Sequence, residues 1–207
     1  MPEEFQQVKY IEGSGTQYIN TGYYPDLKTN AKYKASVSNY KQYGPHLLSS
    51  KYYAFPFYRN ENKSLVAFRG NEQLKVNNTE FNIGTIYEFE AFKNNQVIVN
   101  GQKLGELESI AEKDSVPLYI GTYGGSPGDA NYTSNTKFYY CIIYDNDMEV
   151  RNFIPCYSTT TVTDVEGIER SKDIVGLYDI VNGQFYVNKG TGSFGYELEN
   201  GTYVAPK

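Results

Sequence analysis

A two-residue alternation of apolar and polar side chains, interrupted by turn residues, is the feature of this sequence that most limits its fold. Residues 87–92 (YEFEAF) alternate, and residues 96–100 (QVIVN) alternate more loosely. Because successive side chains of a strand point to opposite faces of a sheet, this period predicts strands. No segment repeats its apolar residues every 3.6 positions over three turns. The chain is therefore predicted to be all-β.

Asn-Gly pairs mark the predicted hairpins. They occur at residues 100–101, 182–183 and 200–201, and the first two pairs lie between apolar, strand-like residues. Asn and Gly both accept a positive φ, which a type I′ turn needs at both of its central positions. Two more turns of the same kind are predicted in residues 68–76 (FRGNEQLKV) and 144–150 (YDNDMEV).

The length of the chain favours one domain. Its 207 residues are enough for one substantial core and few for two. Roughly a dozen predicted strands must avoid open edges, which either two stacked sheets in a jelly roll or a closed barrel achieves. The sequence has no internal repeat, and the long polar run at residues 158–173 lies between strand patterns of similar composition. We predict a single domain over residues 1–207.

Charge and hydropathy argue against two classes of partner. The formal net charge is −5, and the 19 Lys and Arg residues are scattered along the chain, so no nucleic-acid surface is expected. No apolar run approaches the roughly 18 residues that a membrane span needs, so no membrane insertion is expected. The first ten residues, MPEEFQQVKY, lack the basic-then-apolar pattern of a secretion signal.

The two cysteines, Cys141 and Cys156, flank the hairpin predicted at residues 144–150. If the turn centres near Asn146, the residue opposite Cys141 lies close to Arg151. A disulfide would then need the second strand to bend back. Two buried thiols are therefore favoured over a disulfide.

Candidate catalytic residues are few. Asp145, Asp147 and Glu149 would share one face of an extended strand, and glycoside hydrolases use paired carboxylates. Asp-Asn-Asp is also an ideal turn sequence, and a turn would destroy the common face. His46 is the only histidine, and it is expected in a loop or at the surface. We predict a protein that is not an enzyme, with a glycoside hydrolase as the less favoured alternative.

Aromatic residues next to arginines make residues 51–71 the first candidate ligand site. The chain has 22 Tyr and 11 Phe but no Trp, and a tyrosine ring has an apolar face and a polar tip. Sugars present hydroxyl groups and an apolar C–H face, so aromatic rings beside polar groups suit them. The alternation predicts that Phe55 and Phe57 share the buried face of their strand. The candidate ligand-binding residues here are Tyr52, Tyr58, Arg59 and Arg69.

A long connection within residues 118–141 is the second candidate site. Loops longer than about 12 residues are uncommon in compact domains unless they are functional or disordered. Both an inert connection and a ligand-binding surface remain open here. The oxygens of Asp129 and Asn131, with Asp26 or Asp145 as remote partners, also form a candidate Ca²⁺ site. The candidate ligand-binding residues of the loop are Tyr123, Asp129, Asn131 and Tyr132.

Three segments of the chain resemble a known family. Residues 15–26 (GTQYINTGYYPD), 142–156 (IIYDNDMEVRNFIPC) and 176–194 (GLYDIVNGQFYVNKGTGSF) are similar to concanavalin A-like, laminin-G-type jelly-roll domains of phage tail proteins and gut bacterial surface proteins. The resemblance implies a two-sheet antiparallel jelly-roll sandwich of the lectin/glucanase type. It implies a carbohydrate-binding or attachment role and assigns no catalytic residues.

The function expected from these observations is a non-catalytic carbohydrate-binding or receptor-binding module of a phage tail or bacterial surface protein. The alternative is a structural or protein-interaction domain of such an assembly. The expected partners are a cell-surface or gut glycan and other chains of the assembly. The expected location is extracellular, on a cell surface or on a virion.

Overall fold

The structure of the chain is a computed structural model. It describes the following residues, apart from the side chains of Tyr58 and Arg59: 1–39, 46–59, 64–77, 81–108, 112–129, 131–133, 135–171 and 173–207.

Short strands make up most of the regular structure, with a single 3₁₀ turn (Lys93–Asn95) among the described residues. The strands are β1 (Phe5–Gln7), β2 (Tyr10–Ser14), β3 (Ile19–Asn20), β4 (Thr29–Val37), β5 (Leu48–Ser49), β6 (Tyr53–Arg59), β7 (Ser64–Arg69), β8 (Glu72–Asn77), β9 (Ile86–Ala91), β10 (Gln96–Val99), β11 (Gln102–Glu106), β12 (Tyr119–Ile120), β13 (Asn135–Asp145), β14 (Met148–Ser158), β15 (Val162–Thr163), β16 (Glu169–Arg170), β17 (Val175–Asp179), β18 (Gln184–Val187), β19 (Gly195–Glu197) and β20 (Tyr203–Val204).

These strands form two main sheets. The larger sheet has twelve described strands along the path β11-β10-β9-β4-β13-β14-β17-β18, with β1, β2, β19 and β20 attached to its side. The smaller sheet has six, in the order β3-β12-β5-β6-β7-β8. The described pairings in both sheets are antiparallel. The prediction of an all-β antiparallel sandwich is confirmed.

The main core lies between the two sheets. Large aromatic and aliphatic side chains from each sheet meet there and are almost completely buried, which is the largest favourable contribution to folding. The Tyr33 hydroxyl on β4 donates a 2.7 Å hydrogen bond to the Pro56 carbonyl on β6, so one buried polar contact joins the two sheets. Other core residues are Phe89, Cys141 and Phe153 of the larger sheet and Tyr53, Phe55, Leu65 and Ile120 of the smaller.

Tight turns form at the predicted places. Asn100 and Gly101 join β10 to β11 with φ values of 48° and 78°. Asn146 and Asp147 join β13 to β14 with φ values of 50° and 61°. Positive φ at both central residues is the signature of a type I′ hairpin. Because the second turn includes Asp147, this side chain does not share a strand face with Asp145 and Glu149. It accepts a hydrogen bond from the Asn30 side chain instead.

The prediction that Phe55 and Phe57 share one face of their strand is wrong. A β-bulge between Ala54 and Phe57 sets two residues of β6 against one of β7, which reverses the alternation. Phe55 therefore lies in the core between the sheets, whereas Phe57 packs with Ala54 and Val66 on the outer face of the smaller sheet.

Cys141 lies opposite Phe153, two positions beyond Arg151. The hairpin turns between Asn146 and Asp147, and a second bulge between Ile143 and Tyr144 shifts the register by one further residue. Cys141 and Cys156 are free, buried thiols, as favoured from the sequence. They contribute to different hydrophobic clusters, one on each face of the larger sheet. Burial raises the pKa of Cys156 to about 12, so its thiol is protonated and unreactive at neutral pH.

The polar run at residues 158–173 packs on the outer face of the larger sheet. Its β15–β16 hairpin is held by a hydrogen bond from the Val165 N–H to the Phe185 carbonyl, 2.9 Å long. Asp164, which is buried, ties the hairpin together by accepting from the Ile168 N–H at 2.9 Å and from the Arg170 guanidinium at 2.7 Å. Burial opposes ionisation of Asp164, but these hydrogen bonds outweigh it and hold the pKa of the carboxyl below its usual value.

We expect Tyr33→Phe to lower the free energy of unfolding by about 1–3 kcal/mol, because the buried Pro56 carbonyl loses its donor. A fall in Tm of roughly 2–4 °C per kcal/mol should follow for a domain of this size. Tyr157→Phe is the matched control, since it removes an exposed hydrogen bond from the hydroxyl to Gln6. Equal effects of the two variants in thermal denaturation would contradict the role of the inter-sheet bond.

We expect Asp164→Asn to destabilise the domain at pH 7 and to lose that effect in acid. A carboxyl whose pKa is lowered on folding stabilises the fold above its unfolded pKa of about 3.9, and this stability is lost as the pH falls through the folded pKa. Urea unfolding should therefore show a constant difference from wild type at pH 5–7 that shrinks below about pH 4. Glu169→Gln, at an exposed carboxyl of the same hairpin, is the control. A difference that is independent of pH would refute this explanation.

Candidate functional site

An aromatic cluster on the outer face of the smaller sheet forms the base of the candidate site. Phe57 and Phe68, on neighbouring strands, lie 6.2 Å apart in an edge-to-face arrangement. The imidazole of His46 stacks on Phe57 at 4.1 Å with an interplanar angle of 28°. His46 lies in a loop before β5, which is one of the two expected positions, but it is not a surface residue, because only 4% of its surface is exposed.

The ring of His46 also supports two tyrosines of the β12–β13 loop. Its centroid lies 5.0 Å from that of Tyr123 and 5.6 Å from that of Tyr132. The two tyrosine rings are themselves 5.0 Å apart and tilted. Such tilted and edge-on contacts add to the free energy gained from burial alone. The loop is thereby attached to the outer face of the smaller sheet.

The β12–β13 loop consists of successive tight turns. The N–H of Ser126 donates to the Tyr123 carbonyl, that of Asp129 to the Ser126 carbonyl, and that of Tyr132 to the Asp129 carbonyl, at 3.1, 3.1 and 3.0 Å. Each bond spans three residues, as in a β-turn. The loop therefore satisfies much of its own backbone polarity while Tyr123 and Tyr132 are brought to the same side.

Contacts with β5 anchor the start of the loop. The Ser49 hydroxyl donates to the Thr122 carbonyl at 2.9 Å and accepts from the Gly124 N–H at 3.3 Å. Gly124 lies so close to Ser50 that a β-carbon would stand 2.5 Å from the Ser50 α-carbon. Only glycine allows this approach, which explains why the sequence has Gly at this position.

Tyr52 lies beside this pair of tyrosines. The Tyr123 hydroxyl donates at 2.9 Å to the carbonyl of Lys51, the residue that precedes Tyr52. Tyr52 is 45% exposed, and the Lys51 ammonium lies 4.8 Å from the centre of its ring. We call Tyr52, Tyr123 and Tyr132 the tyrosine patch. Burial raises the pKa of Tyr123, so its hydroxyl is a neutral donor at physiological pH.

A buried carboxylate positions Tyr52. Asp114 accepts from the Tyr52 N–H at 2.7 Å and from the Ser50 hydroxyl at 2.6 Å with one oxygen. Its other oxygen accepts from the Val116 N–H at 2.9 Å. This residue was not among the candidates from the sequence. The sequence gives little indication of this role for Asp114, because the segments that it joins are more than sixty positions apart.

Asp129 and Asn131 lie at the edge of the patch. One carboxylate oxygen of Asp129 accepts from both the backbone N–H and the side-chain amide of Asn131, at 2.8 and 3.0 Å. This Asx turn orders the loop and uses one of the candidate calcium ligands internally. Within the described part of the chain, no group of three or more His, Cys, Asp or Glu could hold a metal ion. The calcium site remains a prediction.

The arginine predicted from the same region lies elsewhere. Arg69 pairs across the ladder with Tyr53, whose ring is on the core side of the smaller sheet, and only 2% of Arg69 is exposed. Its guanidinium donates to the Asn95 side chain at 3.0 Å and to the Leu27 carbonyl. The structure therefore does not bring Arg69 to the tyrosine patch. Tyr58 and Arg59 were also predicted to bind a ligand, and their side chains lie outside the described part of the chain.

Comparison with known proteins supports the fold. No protein-family model matches this sequence, and no curated protein does. The crystal structure of a candidate carbohydrate-binding protein from Bacteroides ovatus is similar, with a TM-score of 0.53 and 10% sequence identity. The match covers 97% of this chain and 62% of that one, so this chain spans less than two thirds of its neighbour's length. At this identity the likeness shows a shared all-β architecture.

The described residues include no helix long and apolar enough to cross a membrane. The site residues described above all lie on strands of the smaller sheet or on its connections.

We expect Asp114→Ala to lower the free energy of unfolding by about 1.5–3 kcal/mol, since three donors, of which the Ser50 hydroxyl is fully buried, lose a charged acceptor. The amide of Tyr52 should also exchange its hydrogen faster with solvent, because its acceptor is gone. Glu112→Ala, at a nearby exposed side chain, should change neither quantity appreciably. Unaltered exchange at Tyr52 would show that Asp114 does not position this residue.

Proposed function

We propose that this domain is a non-catalytic carbohydrate-binding module and that the tyrosine patch is its ligand site. The observation that carries the proposal is the arrangement of Tyr52, Tyr123 and Tyr132. The rings of Tyr123 and Tyr132 pack against each other and on His46. The Tyr123 hydroxyl bonds to the carbonyl of Lys51, so Tyr52 follows this contact although it is up to 80 positions away in the chain. A patch of aromatic rings at the surface of a folded domain is a common mark of a binding site.

The chemistry of the patch suits a neutral sugar. Tyrosine rings provide apolar faces for the C–H side of a pyranose, and their hydroxyl groups can exchange hydrogen bonds with sugar hydroxyls. The Lys51 ammonium and the amide of Asn131 add donors at the edge of the patch. The chain has no Trp, so tyrosine would supply the stacking.

The wider fold agrees with this proposal. The similar structure from Bacteroides ovatus is that of a candidate carbohydrate-binding protein, and the resemblance of three segments to lectin-like modules points the same way. We further propose that the parent protein is a phage tail or bacterial surface protein, acting outside the cell, with a cell-surface or gut glycan as receptor. One or two aromatic platforms with a few hydrogen bonds can supply about 4 kcal/mol, which is millimolar affinity. Attachment would then require several copies acting together.

A protein-interaction role is the second candidate, and the outer face of the larger sheet favours it. Tyrosine hydroxyls there donate to carboxylates on nearby strands, from Tyr140 to Glu88 at 2.6 Å and from the exposed Tyr203 to Glu12 at 2.7 Å. The Lys137 ammonium lies 4.3 Å from the centre of the Tyr10 ring. Ordered tyrosines are enriched in protein interfaces. This face would then contact another chain of the same assembly.

A glycan-array screen of the multimerised domain tests the proposal. We expect binding to one class of glycan, and we expect Tyr123→Ala and Tyr132→Ala each to weaken it by about tenfold or more, equivalent to about 1.4 kcal/mol. Tyr203→Ala is the matched control, because this tyrosine is similarly exposed (48%) but lies on β20 of the larger sheet. Absence of binding by a folded, multimeric sample would count against carbohydrate binding and favour the protein-interaction role.

Running the same screen in calcium and in EDTA tests the proposed cation site. Binding that is lost in EDTA and weakened by Asp129→Asn would support a calcium-ordered loop. Identical binding in both buffers would exclude a role of calcium in glycan recognition.

A further inference from the structure

A cavity lies on the opposite side of the sandwich from the tyrosine patch. It opens to solvent between the β15–β16 hairpin and the outer face of the larger sheet, and its volume is about 420 Å³. Ligand pockets commonly measure about 300–1,000 Å³, so this cavity has room for a ligand of one or two rings. Nothing in the proposed function uses it.

Three aromatic rings form the base of this cavity. Phe5 of β1 lies 5.0 Å from Tyr178 of β17 and 4.9 Å from Phe185 of β18, each pair tilted by 44°. All three residues line the cavity. They are at most 9% exposed, so the ring cluster is rigid and its accessible part is a small apolar surface.

Polar, uncharged side chains form the rim. Thr161 and Thr163 of the hairpin and Gln184 of β18 line the cavity and are exposed to solvent. Hydroxyl and amide groups can both donate and accept hydrogen bonds. A small apolar base with such a rim is complementary to a ligand that has an apolar ring face and several hydroxyl groups.

The charges around the cavity disfavour an anionic ligand. Its described lining residues include no Lys, Arg or His and two acids, Glu4 and Asp164. Asp164 is neutralised by Arg170, which donates to it at 2.7 Å. One half-exposed carboxylate attracts a cation by only about 1 kcal/mol in water. A neutral ligand fits this balance best.

The wall formed by the hairpin is held in place before any ligand binds. Besides the Asp164 interactions, Glu166 forms an ion pair with Lys189 at 2.5 Å, and the Val165 N–H bonds to the Phe185 carbonyl. Val162 packs into the ring cluster from the hairpin side. A preformed wall reduces the entropy lost on binding.

We propose that this cavity is a second ligand site and that it takes one neutral polyhydroxylated ring, such as a single pyranose. The long polar run at residues 158–173 then has a role beyond connecting β14 to β17, because it forms one wall of the site. The proposal does not rest on the tyrosine patch, since the two sites share no residue.

Two-dimensional ¹H–¹⁵N NMR of the intact chain tests the proposal, because it reports which residues respond. The probes are the methyl glycosides of glucose, galactose and mannose at up to about 50 mM, which detects millimolar binding. Glucuronic acid is the anionic counterpart. We expect at least one neutral glycoside to shift the amides of residues 161–164 and 184 in a saturable manner, and glucuronic acid to bind more weakly.

Two variants keep the test specific. Thr161→Trp, which places a large side chain at the rim, should abolish the saturable shifts, and Gln184→Ala should weaken them several-fold. Thr202→Trp, at an exposed threonine outside the cavity, should leave them unchanged. Shifts confined to the tyrosine patch would overturn this proposal while supporting the proposed function. Shifts confined to the cavity would support this proposal and would count against the tyrosine patch as a ligand site. No saturable shift at the cavity, or a preference for glucuronic acid, would also overturn it.

Discussion

The interruption of β6 at Pro56 is the constraint on which both the core and the candidate site depend. Proline has no N–H to give to a sheet ladder, so within a strand it is tolerated at a bulge. The bulge lets the Pro56 carbonyl accept the Tyr33 hydroxyl across the core, and it turns Phe57 to the outer face of the sheet. Without that reversal Phe57 would point between the sheets, and His46 would have no ring beneath it.

The class of fold was predictable because its signals are local. Alternation depends only on the geometry of a strand, and residues 87–91 keep it in β9. The turn at Asn100-Gly101 depends only on which residues accept positive φ, and the structure has that conformation. Stacking into two sheets follows from the need to bury one face of each strand and to limit open edges. None of these inferences needs the register of distant strands.

The site was less predictable because a side chain's face depends on register. One extra residue at a bulge reverses every later position of a strand, so Phe57 was assigned to the wrong face. Arg69 follows the parity of Leu65 and points to the core side, which simple counting along β7 would have shown. The burial of His46 could not be predicted, since it depends on Phe57 facing outward after the bulge and on a loop nearly 80 positions away. Pro56, within an aromatic strand, was the one sequence feature that could have indicated a bulge in β6.

The positions of the two proposed sites limit how they can act together. The tyrosine patch lies on the outer face of the smaller sheet, and the cavity under the β15–β16 hairpin lies on the outer face of the larger one. The full thickness of the sandwich separates them, so one short oligosaccharide cannot reach both. Sites that share no residue and no partner contribute additively to binding. Avidity must then come from repeated copies of the chain or from a long, branched glycan, and two sites on one domain would connect glycans rather than enclose one.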